Sequence, residues 1–90
     1  MSTAAKIEAK LRAALAPVRL AISDDSARHA GHAGAQPGGE THFSVEIVSA
    51  EFTGKSRVLR HSMVYELLAD EIAGGVHALA VKALTPGEDI

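Results

Sequence analysis

The sequence predicts a small α/β domain built around a mixed sheet of three strands. Two segments have apolar residues at helical spacing, and two shorter segments alternate apolar residues with polar or small ones, as half-buried strands do. A third short segment near the end is apolar almost throughout, which is typical of a buried strand. The order along the chain is helix, strand, strand, helix, strand, and a length of 90 residues accommodates one domain.

The first helix is predicted over about residues 3 to 16. Apolar residues recur every four positions along it, at Ile7, Leu11 and Leu15. Either Ser2 or Thr3 can cap its start, since each has a side-chain oxygen that accepts a hydrogen bond from the first turn. Pro17 ends the helix, because the residue before a proline is disfavoured in the helical conformation.

Two strands follow, separated by a long segment with the composition of a loop. The apolar residues of the two strands are Val18, Leu20 and Ile22 in the first and Phe43, Val45 and Ile47 in the second. Residues 24–40 between them include four glycines, one proline and no large apolar residue. We expect the strands to form an antiparallel pair across this loop, and loops of such length in small domains are often functional.

The second helix is predicted from about residue 56 to residue 73. Its apolar residues are Leu59, Met63, Val64, Leu67, Leu68 and Ile72. Gly74 is expected to end it in the left-handed conformation that glycine adopts readily. The strand at residues 76–84 comes next, and a helix between two strands permits a parallel pair, which makes the sheet mixed. Residues 1–3 and 85–90 are expected to be flexible, the latter as an acidic, solvated tail.

Composition excludes several classes of protein. The net charge of −2 provides no broad attraction to nucleic acid or to an anionic membrane. No apolar run approaches the ~20 residues of a membrane span, and the first residues lack the pattern of a signal peptide. The absence of cysteine excludes disulfides and suits a reducing compartment, so a cytoplasmic protein is expected. No group of residues combines a nucleophile, a base and an orienting residue, so no enzyme is predicted.

Histidines are the residues best suited to chemistry in this chain, which has five of them and no cysteine. His29 and His32 lie three apart in the glycine-rich loop, and His77 follows a Gly-Gly-Val sequence. Imidazole is a common ligand of transition metals, although two loop ligands alone make a weak site. The alternatives are solvent-exposed loop histidines and, for His77, a hydrogen-bonded core residue. His42, at a strand start, and His61, in the first turns of the second helix, are interpreted as structural.

A Thr-Gly-Lys-Ser sequence ahead of the second helix invites comparison with a phosphate-binding loop. Such a loop requires a glycine five residues before its second glycine, and the residue at that position is Ser49, so the comparison fails. The amides at the helix start, together with Lys55, Arg57 and Arg60, form a small positive surface that can hold an anion. The alternative is an ordinary solvated helix start.

Four blocks of sequence together resemble the BolA family, and the resemblance extends over about residues 5 to 86. The blocks are DDSARH at residues 24–29, ETHFSV at 40–45, FTGKS with RHSMVY at 52–56 and 60–65, and GVHALAV at 75–81. Because its first block ends in a histidine, the chain resembles the histidine-loop branch of the family. Ser62, where the family often has arginine, is a departure, and so is the Pro-Gly-Glu-Asp-Ile ending.

That resemblance implies a fold like a class II KH domain, with the helices on one face of the sheet. It also implies a protein that is not an enzyme but pairs with a monothiol glutaredoxin and shares a [2Fe–2S] cluster, in iron–sulfur trafficking or in iron- or redox-linked regulation. The glutaredoxin then supplies its cysteine and a glutathione thiol. This chain supplies His77 and His29, with His32 as a replacement for His29. Histidine on one iron raises the reduction potential relative to a cluster held only by thiolates.

The same resemblance implies a second function, the binding of promoter DNA by a transcriptional regulator. The segment at residues 54–65 then acts like a helix-turn-helix, and its basic residues are Lys55, Arg57, Arg60 and His61. The net charge of −2 and an incomplete Gly-x-x-Gly loop, with Arg57 at its last position, weaken this alternative. A simple zinc-binding module requires ligands that the chain lacks. Without a partner, the chain is expected to be a monomer or a weak homodimer that holds no cofactor.

Overall fold

The computed structural model describes residues 2–24 and 42–89, which form a layer of helices against a sheet. The helices are α1 (Thr3–Leu15), α2 (Arg57–Leu67) and α3 (Ala69–Ala73), and the strands are β1 (Arg19–Asp24), β2 (His42–Val48) and β3 (Ala78–Leu84). Short 3₁₀ helices at Ala50–Phe52 and Pro86–Glu88 follow β2 and β3. The order of helices and strands agrees with the predicted one, except that the second helix is divided.

The sheet has the strand order β1-β2-β3 and is mixed, as predicted. β1 and β2 are antiparallel, with Leu20 opposite Ile47. β2 and β3 are parallel, with Val45 opposite Val81. A parallel pair requires a crossover connection, and α2 and α3 provide it between these two strands. Val18, predicted on the apolar side of the first strand, instead precedes β1 and is 71% exposed.

One face of the sheet packs against the helices, as expected for a class II KH-like fold. Alternate residues of β2 enter the core and are at most 2% exposed, namely Phe43, Val45 and Ile47. The helices contribute Ile7, Leu11, Leu15 and Val64 to the same cluster, and Leu68, between α2 and α3, also belongs to it. Of the residues of β2 that alternate with them, Ser44 and Glu46 are polar and half-buried, whereas Val48 at the end of the strand is buried. The period-two pattern of β2 therefore decides which face of the sheet the helices cover.

Both ends of α1 are fixed by side-chain hydrogen bonds. Ser2, rather than Thr3, caps the start, and its Oγ accepts a hydrogen bond from the Ala5 N–H at 3.1 Å. At the other end, the buried Ser49 Oγ donates to the Leu15 carbonyl at 2.6 Å. This bond ties the end of α1 to the chain leaving β2, and it satisfies one of the carbonyls that a helix end leaves unpaired.

The second helix differs from the prediction in two details. It is divided at Leu68, whose backbone has φ −103° and ψ 17°, although leucine and the alanine after it are good helix formers. The residue with positive φ after α3 is Gly75, at 131°, whereas Gly74 has φ −85°. The Gly74 N–H bonds to the Asp70 carbonyl at 2.9 Å and closes the last turn, which leaves the change of direction to Gly75.

The C-terminal segment is not the solvated tail that the sequence suggests. Residues 86–88 form a 3₁₀ turn in which the Glu88 carboxylate accepts a hydrogen bond from the Thr85 N–H at 2.7 Å. The same carboxylate pairs with Arg60 at 2.7 Å, and Asp89 pairs with Arg19 at 2.8 Å. Both arginines are far away in the sequence, so no local pattern indicates that the segment is held against the domain.

Candidate metal-ligand pair and cationic surface

His77 is held at one end of the sheet by the turn between α3 and β3. Gly75 makes this turn with φ 131°, a conformation that residues with a side chain rarely adopt. Val76 then enters the core at 7% exposure, and its N–H bonds to the Glu71 carbonyl at 3.1 Å. His77 follows with an exposed side chain. The alternative of a buried core histidine is therefore wrong, and a partner can reach this imidazole.

A second histidine, His42, lies beside His77. It is the first residue of β2, and the parallel register places it opposite Ala78, the first residue of β3. The centroids of the two imidazole rings are 6.4 Å apart, and the ring planes are inclined by 46°. From the sequence alone His42 is interpreted as structural, because only the register of the parallel strands shows that it has this neighbour. We refer to His42 and His77 as the histidine pair.

The predicted loop ligands, His29 and His32, lie outside the described residues. The described residues on either side of them are Asp24, which is opposite Phe43 in the sheet, and His42. Both of these described residues lie at the end of the sheet where the histidine pair lies. Within residues 2–24 and 42–89, no group of three or more potential metal ligands is present. A metal held at the pair thus needs further ligands from elsewhere.

The predicted nucleic-acid residues lie around the start of α2. Ser56 caps this helix, and its Oγ accepts a hydrogen bond from an amide of the first turn at 3.1 Å. Arg57 is exposed, whereas Lys55 and His61 are half-buried. The His61 ring lies edge-on to Tyr65, with 6.5 Å between the ring centroids. Three of the four predicted residues are thus accessible on one surface.

Arg60 is not part of this surface, contrary to the prediction. Only 7% of the residue is exposed. Its Nε donates to the Lys55 carbonyl at 2.9 Å, and its Nη1 donates to the Ala83 carbonyl at 3.1 Å and to the Glu88 carboxylate at 2.7 Å. With these donors engaged inside the protein, Arg60 is not available to phosphate. The hydrogen bond from Arg60, reinforced by one from the Thr85 backbone, lowers the pKa of Glu88 to about 2.

β3 adds a cation that the sequence pattern around α2 does not include. Lys82 lines a groove of about 250 Å³ together with Arg57, His61 and apolar residues of β3. The Lys82 Nζ lies 3.4 Å from the Glu46 carboxylate, which also pairs with Arg19. The hydrogen bond from Arg19 is the main reason why the pKa of Glu46 is lowered. We define the cationic surface by Lys55, Arg57, His61 and Lys82.

The sequence matches the family described as BolA-like protein over residues 11–88. The chain belongs to the BolA family. Protein BOLA1 of Arabidopsis thaliana, a chloroplastic relative, is 47% identical over 87 residues, which cover 94% of this BolA chain and 54% of the relative. The DNA-binding transcriptional regulator BolA of Escherichia coli is 48% identical over 80 residues, which cover 89% of this chain and 72% of the relative.

Another relative of this BolA chain is much longer. SufE-like protein 1 of Arabidopsis thaliana, described as chloroplastic/mitochondrial, is 49% identical over 87 residues, which cover 92% of this chain and 24% of the relative. This BolA chain therefore spans about a quarter of that protein and about half of BOLA1. No helix in the described part of the chain is long and apolar enough to cross a membrane. A cytoplasmic location stays a prediction.

Solved BolA structures have the same fold. BolA1 from Arabidopsis thaliana superposes with a TM-score of 0.90 at 44% identity, covering 100% of this chain and 98% of the other. The BolA domain of SufE1 from the same plant superposes with a TM-score of 0.87 at 48% identity, covering 98% and 96% of the two chains. The agreement confirms the predicted mixed sheet with helices on one face.

Proposed function

We propose that this BolA-family protein is a non-catalytic partner of a monothiol glutaredoxin, with which it shares a [2Fe–2S] cluster. Its role is in iron–sulfur trafficking or in iron- or redox-linked regulation. The observation that supports this most directly is the exposed side chain of His77, whose backbone lies between the Gly75 turn and β3. A ligand of a shared cluster has to be reachable by the partner and carried on a well-defined backbone, and His77 meets both requirements.

The donor groups of the chain fit one half of such a cluster. The sequence has five histidines and no cysteine, so it offers neutral nitrogen donors and no thiolate. The thiolates then come from the cysteine of the glutaredoxin and from glutathione. Imidazoles on one iron raise the reduction potential, and they can be protonated and released more readily than thiolates. A cluster held in this way is suited to transfer or to sensing.

The small number of ligands also favours a shared site over an autonomous one. The described residues bring two histidines together and include no group of three potential ligands. His77 is the first proposed cluster ligand of this chain. His29 is the second, with His32 as its alternate, and the described residues before and after them in the chain, Asp24 and His42, lie at the same end of the sheet as His77. The chain without its partner is expected to hold no cluster.

A visible circular dichroism titration tests the proposal. The protein is added to a monothiol glutaredoxin that carries its cluster, and the spectrum is followed until the protein is in excess. A new spectrum is expected with the unmodified chain and with His61→Ala, a histidine on a different surface, but not with His77→Ala. An unchanged spectrum at excess unmodified protein would refute the proposal. Comparison of His29→Ala with His32→Ala identifies the loop ligand.

Binding of DNA is a second candidate function, and two observations favour it. The relative from Escherichia coli is named a DNA-binding transcriptional regulator. The cationic surface presents an exposed Arg57 beside Lys82, next to the capped start of α2. Arg60 has no part in this function, because its guanidinium is engaged by carbonyls and a carboxylate of the protein.

An electrophoretic mobility shift at several salt concentrations separates the two functions. If the cationic surface binds DNA, the shift weakens steeply as salt is added, is lost with Arg57→Ala and survives His77→Ala. A shift that disappears with His77→Ala but persists with Arg57→Ala would contradict this function. Because the net charge is −2, affinity is expected to be low, and the absence of any shift at low salt would exclude DNA binding through this surface.

A further inference from the structure

We propose that His42 and His77 form a two-imidazole chelating site for one late first-row divalent metal ion, such as Cu²⁺ or Ni²⁺, in the chain without a partner. The site goes beyond the shared cluster, because it requires neither a glutaredoxin nor a histidine of the loop. It follows from the contact between two residues that are far apart in the sequence.

The backbone holds the two histidines at the same end of the sheet. His42 is paired with Ala78 across the parallel ladder, so His77 lies one residue before the partner of His42. Neighbouring strands are about 4.8 Å apart, a spacing at which side chains near paired positions can meet. The ladder continues without interruption to Val48 and Leu84. A shift of register would move the buried residues of β2 out of the core, so the two backbones are fixed relative to each other.

The observed ring separation needs only a small movement to allow chelation. With metal–nitrogen distances of about 2.0–2.1 Å, two imidazoles at neighbouring positions on one ion have ring centroids roughly 4.5–5 Å apart. The centroids are 6.4 Å apart in this structure. Closing the pair by about 1–2 Å requires rotation of one side chain. His77 is exposed and His42 is half-buried, so we expect His77 to make most of this movement.

The chemistry of the donors determines which ions the site prefers. Imidazole nitrogen suits Cu²⁺, Ni²⁺ and Zn²⁺, and the affinity of nitrogen sites rises along the first row to Cu²⁺. The described residues include no group of three ligands, so water completes the coordination and the site is weaker than a structural metal centre. Such open positions are also where ligands of a partner can bind.

Calorimetric titration of the untagged full chain with Ni²⁺ tests the proposal. We expect one ion per chain, and binding at least tenfold weaker in both His42→Asn and His77→Asn. The matched control His61→Asn, and a double variant with His29→Asn and His32→Asn, should bind Ni²⁺ as the unmodified chain does. Absence of Ni²⁺ binding in the unmodified chain would overturn the proposal. Binding that is lost in the loop double variant but retained in His42→Asn would also overturn it.

A spectroscopic measurement keeps the test decisive if His42→Asn does not fold. In the loop double variant, electron paramagnetic resonance of bound Cu²⁺ should show two coordinated imidazole nitrogens, and adding His77→Asn should leave at most one. Fewer than two nitrogens before that change would overturn the proposal. Neither measurement includes a glutaredoxin, so failure of the chelating site and failure of the shared cluster are observed separately.

Discussion

Replacement of Arg60 by methionine should lower the free energy of unfolding by about 3–4 kcal/mol. The guanidinium donates at 2.9 Å to the Lys55 carbonyl and at 3.1 Å to the Ala83 carbonyl, and Arg60 is only 7% exposed. Each hydrogen bond from a charged donor contributes about 1.5–3 kcal/mol, so the two bonds together contribute roughly 3–6 kcal/mol. Methionine retains part of the apolar contact of the arginine stem, so the expected loss lies toward the lower end of this range. The pair with Glu88 is left out of this total, because its carboxylate is 44% exposed and screened by solvent.

Urea unfolding followed by far-ultraviolet circular dichroism measures this difference. Arg57→Met is the matched control, because Arg57 is in the same helix but exposed, and its replacement should change the free energy of unfolding by less than about 0.5 kcal/mol. If both variants unfold at the same urea concentration with equal slopes, the two carbonyl bonds of Arg60 do not stabilise the fold. That result would refute the explanation of why Arg60 is buried.

Three further changes test other contacts. The pKa of Glu88 is lowered to about 2 from an ordinary 4.5, so its carboxylate stabilises the fold above pH 4.5, and this contribution is lost as the pH falls toward 2. In Glu88→Gln the urea midpoint should depend less on pH over that range, and an unchanged dependence would count against the pairing. Gly75→Ala should destabilise the fold by about 1–3 kcal/mol, because its backbone φ of 131° is strained for alanine. Gly87→Ala is the control and should not destabilise the fold, since its added Cβ has no atom within 4 Å. Equal thermal unfolding midpoints of the two variants would contradict the argument that Gly75 avoids strain. Ser49→Ala should lower the free energy of unfolding, measured with urea, by about 1–3 kcal/mol, because the Leu15 carbonyl loses a buried hydrogen bond of 2.6 Å. An unchanged free energy of unfolding would mean that this hydrogen bond does not stabilise the fold.

Local patterns in the sequence predicted the order of the main helices and strands, the mixed sheet and the family, but not the division of the second helix. The four-residue spacing predicted the inner face of α1, and its members are all at most 5% exposed, namely Ile7, Leu11 and Leu15. Alternation predicted which residues of β2 enter the core, since the side chains of a strand point to opposite faces in turn. The four blocks of sequence indicated the BolA family, which the match over residues 11–88 confirms. Ligation of a cluster by His77 and binding of DNA stay predictions.

The sequence by itself determined which residues share a face of one element, and the tertiary structure decided which elements meet. Arg60 resembles a surface cation because it follows the basic start of a helix, and only the return of β3 and the last turn brings Ala83 and Glu88 to its guanidinium. His42 resembles an ordinary strand residue, and only the parallel register places its ring beside that of His77. The physical reason is that the periodicity of a helix or strand is a local property of the backbone. Register and crossover depend instead on burying the apolar faces of all the elements together.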